Sequence, residues 1–188
     1  MRDLSLHLLD IAQNSISARA SKMNITVHAD KSRDELIIKV ADNGNGMGKE
    51  LLETVTDPFT TTRVTRRVGL GIPLFMASAT GSGGSLTIDS APGKGTTLEA
   101  TFKISHIDRL PLGNVAETII SVILSKQDID LVMLLESDTN SFKFDLSDIR
   151  ERIGEVPVTE IEVLDWIREY IDEGVRITFG GVLNEIVG

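Results

Sequence analysis

The stretch Leu36-Ile37-Ile38-Lys39-Val40-Ala41-Asp42-Asn43-Gly44-Asn45-Gly46-Met47 runs from an apolar strand directly into a carboxylate and two glycines. Just upstream, Ile25 and Val27 alternate with polar positions. Asn24–Asp30 and Glu35–Asp42 therefore read as paired strands around a Lys31-Ser32-Arg33-Asp34 turn. Before them, Asp3 to about Ala18 reads as a helix burying Leu4, Leu8, Ile11 and Ser15, with His7 as a partly exposed helix histidine. Downstream, Lys49–Val55 suggests a short helix and residues 56–68 a loop without apolar period. Ile72–Thr80 reads as a helix stopped by Gly81, with Pro73 tolerated in its first turn. Ser85–Ser90 and Thr96–Ile104 make a hairpin over Ala91-Pro92-Gly93-Lys94-Gly95. The sum is an α/β fold, a two-layer sandwich of a mixed sheet with helices on one face.

The segment 108–113, with Pro111 and Gly113, reads as a linker between a domain at 1–107 and a small acidic α/β domain at 114–188. In the second part, Asn114 and Glu117 cap a helix carrying Val115, Ile119, Val122 and Ile123. Asp130–Glu136 and Ser141–Leu146 flank a Ser137-Asp138-Thr139-Asn140 turn, and Ser147–Ile153 is a short helix. Thr159 and Glu162 read as a capping box for a last helix to Glu173, burying Val163, Trp166, Ile167 and Tyr170 and ended by Gly174. Charge changes at the same place. Residues 1–110 hold 13 Lys/Arg against 12 Asp/Glu, a net +1, whereas residues 111–188 hold 6 against 16, a net −10. An acidic field of that size repels phosphates and argues against nucleic acid as a partner.

The 188 residues, 41% hydrophobic and 25% charged, are ordinary for a globular protein. No apolar run reaches the length of a membrane span, and the first helix starts at once, so no leader and no membrane partner are expected. With no cysteine, disulfides and thiolate metal sites are excluded. A cytoplasmic location is the expectation.

Several residues could carry chemistry. Asp10 and Asn14, four apart, share one helix face. An amide oxygen there suits Mg²⁺, which keeps several waters and accepts few protein ligands beside phosphate. Asp42 at a strand end can accept a hydrogen bond from an exocyclic amine, and Gly44 and Gly46 let the backbone pass close to a ligand. A calcium loop is the alternative, but it needs further oxygen ligands, which this stretch lacks. Between Phe59 and Gly69 lie Arg63, Arg66 and Arg67, which could clamp phosphates. Gly69-Leu70-Gly71 opens a helix whose bared amides suit an anion. Neither a Walker A loop nor a Rossmann fingerprint is present.

Five signatures thus follow in order: Asp10-Ile11-Ala12-Gln13-Asn14, Asp42-Asn43-Gly44-Asn45-Gly46-Met47, Pro58-Phe59-Thr60-Thr61-Thr62-Arg63, Gly69-Leu70-Gly71 and Gly93-Lys94-Gly95-Thr96. The set resembles the GHKL superfamily of DNA gyrase, the heat-shock chaperone ATPase, histidine kinases and mismatch-repair ATPases, over about residues 3–104. That resemblance implies ATP and Mg²⁺ as cofactors. It implies that Asn14 binds the metal, Asp10 polarises a water or acceptor, and Asp42 holds the adenine amino group. Gly44, Gly46, Met47, Thr62, Gly69, Leu70, Gly71 and Thr96 would contact the nucleotide, and Arg63 would face the terminal phosphate.

The gyrase-like members carry Glu where this chain has Asp10. Histidine kinases place a basic residue where it has Ser17. The first helix thus resembles the gyrase type, and the loop and last hairpin the histidine kinases. No acceptor-histidine segment is present, so a kinase would phosphorylate a protein partner in trans. An ATP-driven switch of the gyrase and mismatch-repair type and a nucleotide-sensing adaptor are the alternatives, and a homodimer stays open.

Overall fold

The computed structural model describes residues 2–56 and 70–183. Helix α1 (Leu4–Ser17) is followed by strands β1 (Lys22–Asp30) and β2 (Glu35–Asp42), then helices α2 (Lys49–Thr56) and α3 (Gly71–Gly81). Strands β3 (Leu86–Ala91) and β4 (Gly95–Lys103), helix α4 (Val115–Ser125) and strands β5 (Asp130–Ser137) and β6 (Ser141–Asp145) come next. Helices α5 (Leu146–Ile153) and α6 (Ile161–Phe179) complete the order. Among the described residues, no helix is long and apolar enough to cross a membrane.

The strands form one sheet in the order β3-β4-β2-β1-β5-β6. Only β1 and β5 run parallel; the other neighbours are antiparallel, so the sheet is mixed as expected. Strand side chains alternate between faces, and the register puts the buried ones on a single face. Val40 lies opposite Ile25 and Leu98, Ile38 opposite Val27 and Ala100, and Met133 opposite Ile25 and Phe144. On that face α1 lies between α3 and α4, and α4 packs on α6.

The C-terminal residues do not stand apart as a separate domain, which corrects the expected division at 108–113. Strand β5 pairs along the whole of β1, burying Leu131, Met133 and Leu135 in the core that holds Met23, Ile25 and Val27. The segment expected as a linker is itself structural. The first amides of α1 donate to it, Leu4 N to the Pro111 carbonyl at 2.9 Å and Ser5 N to that of Leu112 at 2.8 Å. Asp3 takes a third, accepting from Leu6 N at 3.0 Å, so most of the helix's free N-terminal donors are satisfied. Arg109, only 4% exposed, donates from Nε to the Ile104 carbonyl at 2.7 Å and from Nη1 to those of Leu110 and Leu183 at 3.0 Å. The charge step is real, but charge sits on surfaces and says nothing of how cores join.

Helix α6 also departs from expectation. It starts after Glu160, with no side-chain cap, rather than at a Thr159 capping box, and it runs through Gly174 to Phe179. Gly174 is buried in mid-helix because a Cβ there would lie 2.5 Å from the Phe142 ring of β6. The helix ends instead at Gly180, in the left-handed conformation that glycine adopts freely. Trp166 and Tyr170, expected in the core, are 43% and 38% exposed, since Leu164, Ile167 and Ile171 already supply the buried stripe.

Candidate nucleotide site

A cavity of about 240 Å³ opens where α1, the end of β2, α2, the start of α3 and β4 meet. Ile11, Val40, Ile72 and Leu98 give it an apolar floor, while Asn14, Ser15, Asp42 and Thr96 bring polar groups to the wall. An apolar cleft with a few convergent polar groups is the usual form of a small-molecule site.

Asp42 sits at the strand end with both carboxylate oxygens engaged. Oδ2 accepts from the Ser15 hydroxyl at 2.7 Å, and Oδ1 accepts from Gly44 N at 2.8 Å. The carboxylate is therefore fixed in orientation while keeping lone pairs for a ligand donor. Beside it in the ladder stands Thr96, whose hydroxyl is 2.9 Å from that of Ser90. The Ser90 hydroxyl donates to the Gly95 carbonyl at 3.0 Å and accepts from Met47 N at 2.8 Å, tying the loop after Asp42 to the β3–β4 hairpin.

The glycines of that loop answer to the chain's own packing. A Cβ on Gly46, which has φ +65°, would overlap the Ala91 carbonyl, and one on Gly44 would lie 2.8 Å from the Ala18 carbonyl. Sequence reasoning had reserved that space for a ligand. Gly46 does line the cavity, with Met47, whereas Gly44 acts on it through its amide to Asp42.

On α1, Asn14 faces the cavity, and its buried Nδ2 has no hydrogen-bond partner among the described residues. One turn earlier, exposed Asp10 stands against the first residue of α3: a Cβ on Gly71 would lie 2.9 Å from Asp10 Cβ. Leu70 caps α3 without a side-chain bond and is 58% exposed. Asp10, Leu70 and Gly71 thus gather at the start of α3 beside the cavity rather than on its wall. Thr62, Arg63 and Gly69 lie outside the described residues.

His7 is buried, at 3% exposure, which corrects its expected partial exposure. Its ring stacks on Phe75 of α3 with centroids 5.2 Å apart, and Nδ1 has no partner among the described residues. Burial pushes its pKa below the ordinary histidine value, more strongly than the Asp10 and Asp3 carboxylates pull it up. The ring is a neutral spacer between the helix bearing Asn14 and the helix opening at Gly71.

Ser15 and Ser90 were missed as site residues. Ser15 was legible only as a small polar residue on a buried helix face, and Ser90 as one residue of a strand.

The family described as "Histidine kinase-, DNA gyrase B-, and HSP90-like ATPase" matches residues 2–106. The chain belongs to that family. Its matched span contains α1, the first four strands and the whole cavity. Among curated relatives in the family, the Non-motile and phage-resistance protein of Caulobacter vibrioides is 33% identical over 111 residues, 54% of this chain and 13% of that protein. Sporulation kinase C of Bacillus subtilis is 30% identical over 96 residues, 51% of this chain and 22% of its own length. This chain thus spans less than a quarter of these relatives. Among solved structures, the Aquifex aeolicus MutL ATPase domain complexed with ADP is a distant likeness, 18% identical with a TM-score of 0.42, covering 82% of this chain and 68% of that one.

Proposed function

We propose that the chain binds Mg-ATP in this cavity and passes the γ-phosphoryl group to a protein partner in trans. The carrying observation is Asp42, held on both oxygens by Ser15 and Gly44 beside Thr96. A fixed carboxylate of this kind reads an exocyclic amine such as that of adenine, because misplacing it would leave a half-buried acceptor without its donor. Asn14 brings a side-chain amide to the cavity wall, and its Oδ1 would be the metal ligand. Among the described residues, no three His, Cys, Asp or Glu converge on one point, so no all-protein cage is built. That fits Mg²⁺, which would take Asn14, waters and phosphate oxygens. Bound there, the ion would neutralise charge on the triphosphate. Asp10, at the start of α3, would accept the proton of the attacking group as its oxygen or nitrogen bonds to the γ-phosphorus and ADP leaves.

Transfer to a protein, as part of signalling, is supported by matched relatives bearing the names Sporulation kinase C and Sporulation kinase D, at 30% identity over their matched spans. A second reading, hydrolysis by a conformational switch, is favoured by the exposed Asp10 carboxylate beside α3, where it could orient a water. Incubation with γ-labelled ATP and candidate acceptors separates them: label on protein for the kinase, free phosphate for the switch, neither for a sensor. Calorimetry tests the binding itself. Asp42→Asn is expected to weaken ATP at least about tenfold, and Asn14→Ala to remove the Mg²⁺ dependence. Unchanged affinity in the first variant would reject the adenine assignment.

A further inference from the structure

The outer face of α6 carries the chain's single tryptophan and single tyrosine, and neither is needed by the core. Trp166 and Tyr170 stack with centroids 5.2 Å apart and planes 9° from parallel. Tyr170 in turn meets the Phe142 ring of outer strand β6 edge-on at 4.9 Å. Ile177, 49% exposed, falls on the same helical face.

The charges around this aromatic ladder are one-sided. Helical spacing puts Glu162, Glu169 and Glu173 on the face of Trp166 and Tyr170. Arg176 compensates Glu173, whereas Arg168 reaches Glu117 and Asp165. Among the described residues Glu162 and Glu169 have no ion-pair partner. A half-exposed aromatic stack edged by free carboxylates matches one side chain above others: the arginine guanidinium, which stacks on an aromatic plane and donates in a fork to carboxylates.

We propose that this face is a docking surface for an arginine-bearing basic protein segment, independent of what the nucleotide cavity binds. Other occupants fit less well. An apolar helix would bury Glu162 and Glu169 unpaired. An acidic segment would meet a C-terminal half with a net charge of −10. A second copy in a two-fold contact would set these carboxylates against themselves.

Trp166, being the sole tryptophan, reports on the site directly. The full chain is titrated with a synthetic peptide of alternating Arg and Gly, and with Lys–Gly and Glu–Gly peptides of the same length. The Arg peptide should give a saturable change in tryptophan emission that salt weakens, with a smaller response to Lys and none to Glu. Glu162→Gln/Glu169→Gln should weaken the Arg peptide about three- to tenfold. Asp128→Asn/Glu151→Gln, which removes two charges elsewhere on the acidic half, should not. All four positions are exposed, and unchanged far-ultraviolet dichroism confirms that each variant folds. Absence of a saturable change, equal weakening by both double variants, or an equal response to the Glu peptide would overturn the proposal. So would concentration-dependent dimerisation that Trp166→Ala abolishes.

Discussion

Ser15 on α1 and Asp42 at the end of β2 are joined by a 2.7 Å hydrogen bond across 27 positions of sequence, with the hydroxyl donating to Oδ2. The opposite oxygen is held by Gly44 N, so Ser15 decides how firmly the carboxylate is aimed. Ser15→Ala should leave the fold intact and weaken ATP about fivefold, near 1 kcal/mol, the usual worth of one hydrogen bond. Calorimetric titration measures it; wild-type affinity would mean that the Gly44 amide suffices.

His7 makes stability depend on acid. Its pKa is lowered in the folded chain, chiefly by burial, so the unfolded chain binds its proton more readily. The neutral ring's full contribution is present above the ordinary histidine value and is lost as pH falls through the lower folded value. Urea unfolding of wild type should therefore show a loss of stability below about pH 6.5. His7→Phe, which keeps a ring against Phe75, should lose less over the same interval. Equal slopes in the two proteins would count against this reading.

Removing the Arg109 side chain should cost roughly 2–4 kcal/mol, because the Ile104, Leu110 and Leu183 carbonyls it serves lie where water has little access. Denaturant midpoints of Arg109→Ala and Arg109→Lys test this. Lysine restores the charge but not the fork, and should recover only part of the loss.

Gly174→Ala should run against helix propensity. Alanine favours a helix interior over glycine by about 1 kcal/mol, yet the added methyl would meet the Phe142 ring at 2.5 Å. The expected result is a lower melting temperature. Pairing it with Phe142→Leu, which shortens the opposing side chain, should recover part of the stability. A stabilised single variant would show that the ring moves aside freely.

Much of the site was legible because its residues have unusual neighbours in the sequence. Asp42 ends an apolar strand before two glycines, and Asn14 follows Asp10 by one helical turn; the structure brings Asn14, Asp42, Gly46, Met47 and Thr96 to one cavity. What escaped were contacts between distant ordinary residues. Nothing local marks Ser15 as the partner of Asp42, or Ser90 as the tie between Met47 and Gly95. Gly174 was misread because a glycine late in an amphipathic run signals a helix end as readily as a close approach to another element. The −10 half suggested a boundary, yet the alternating Leu131, Met133 and Leu135 had to be buried somewhere, and β1 offered a free side.

The pairing of β1 with β5, and the Pro111 and Leu112 carbonyls over α1, bear on any attempt to transplant the family-matched portion. A cassette cut after residue 106 would expose a bare flank of the central strand and strand two amides of the helix that presents Asn14. In this chain the family-matched half is a tenant of the acidic half, and excising it cleanly would require a new strand and a new cap to be supplied by the host.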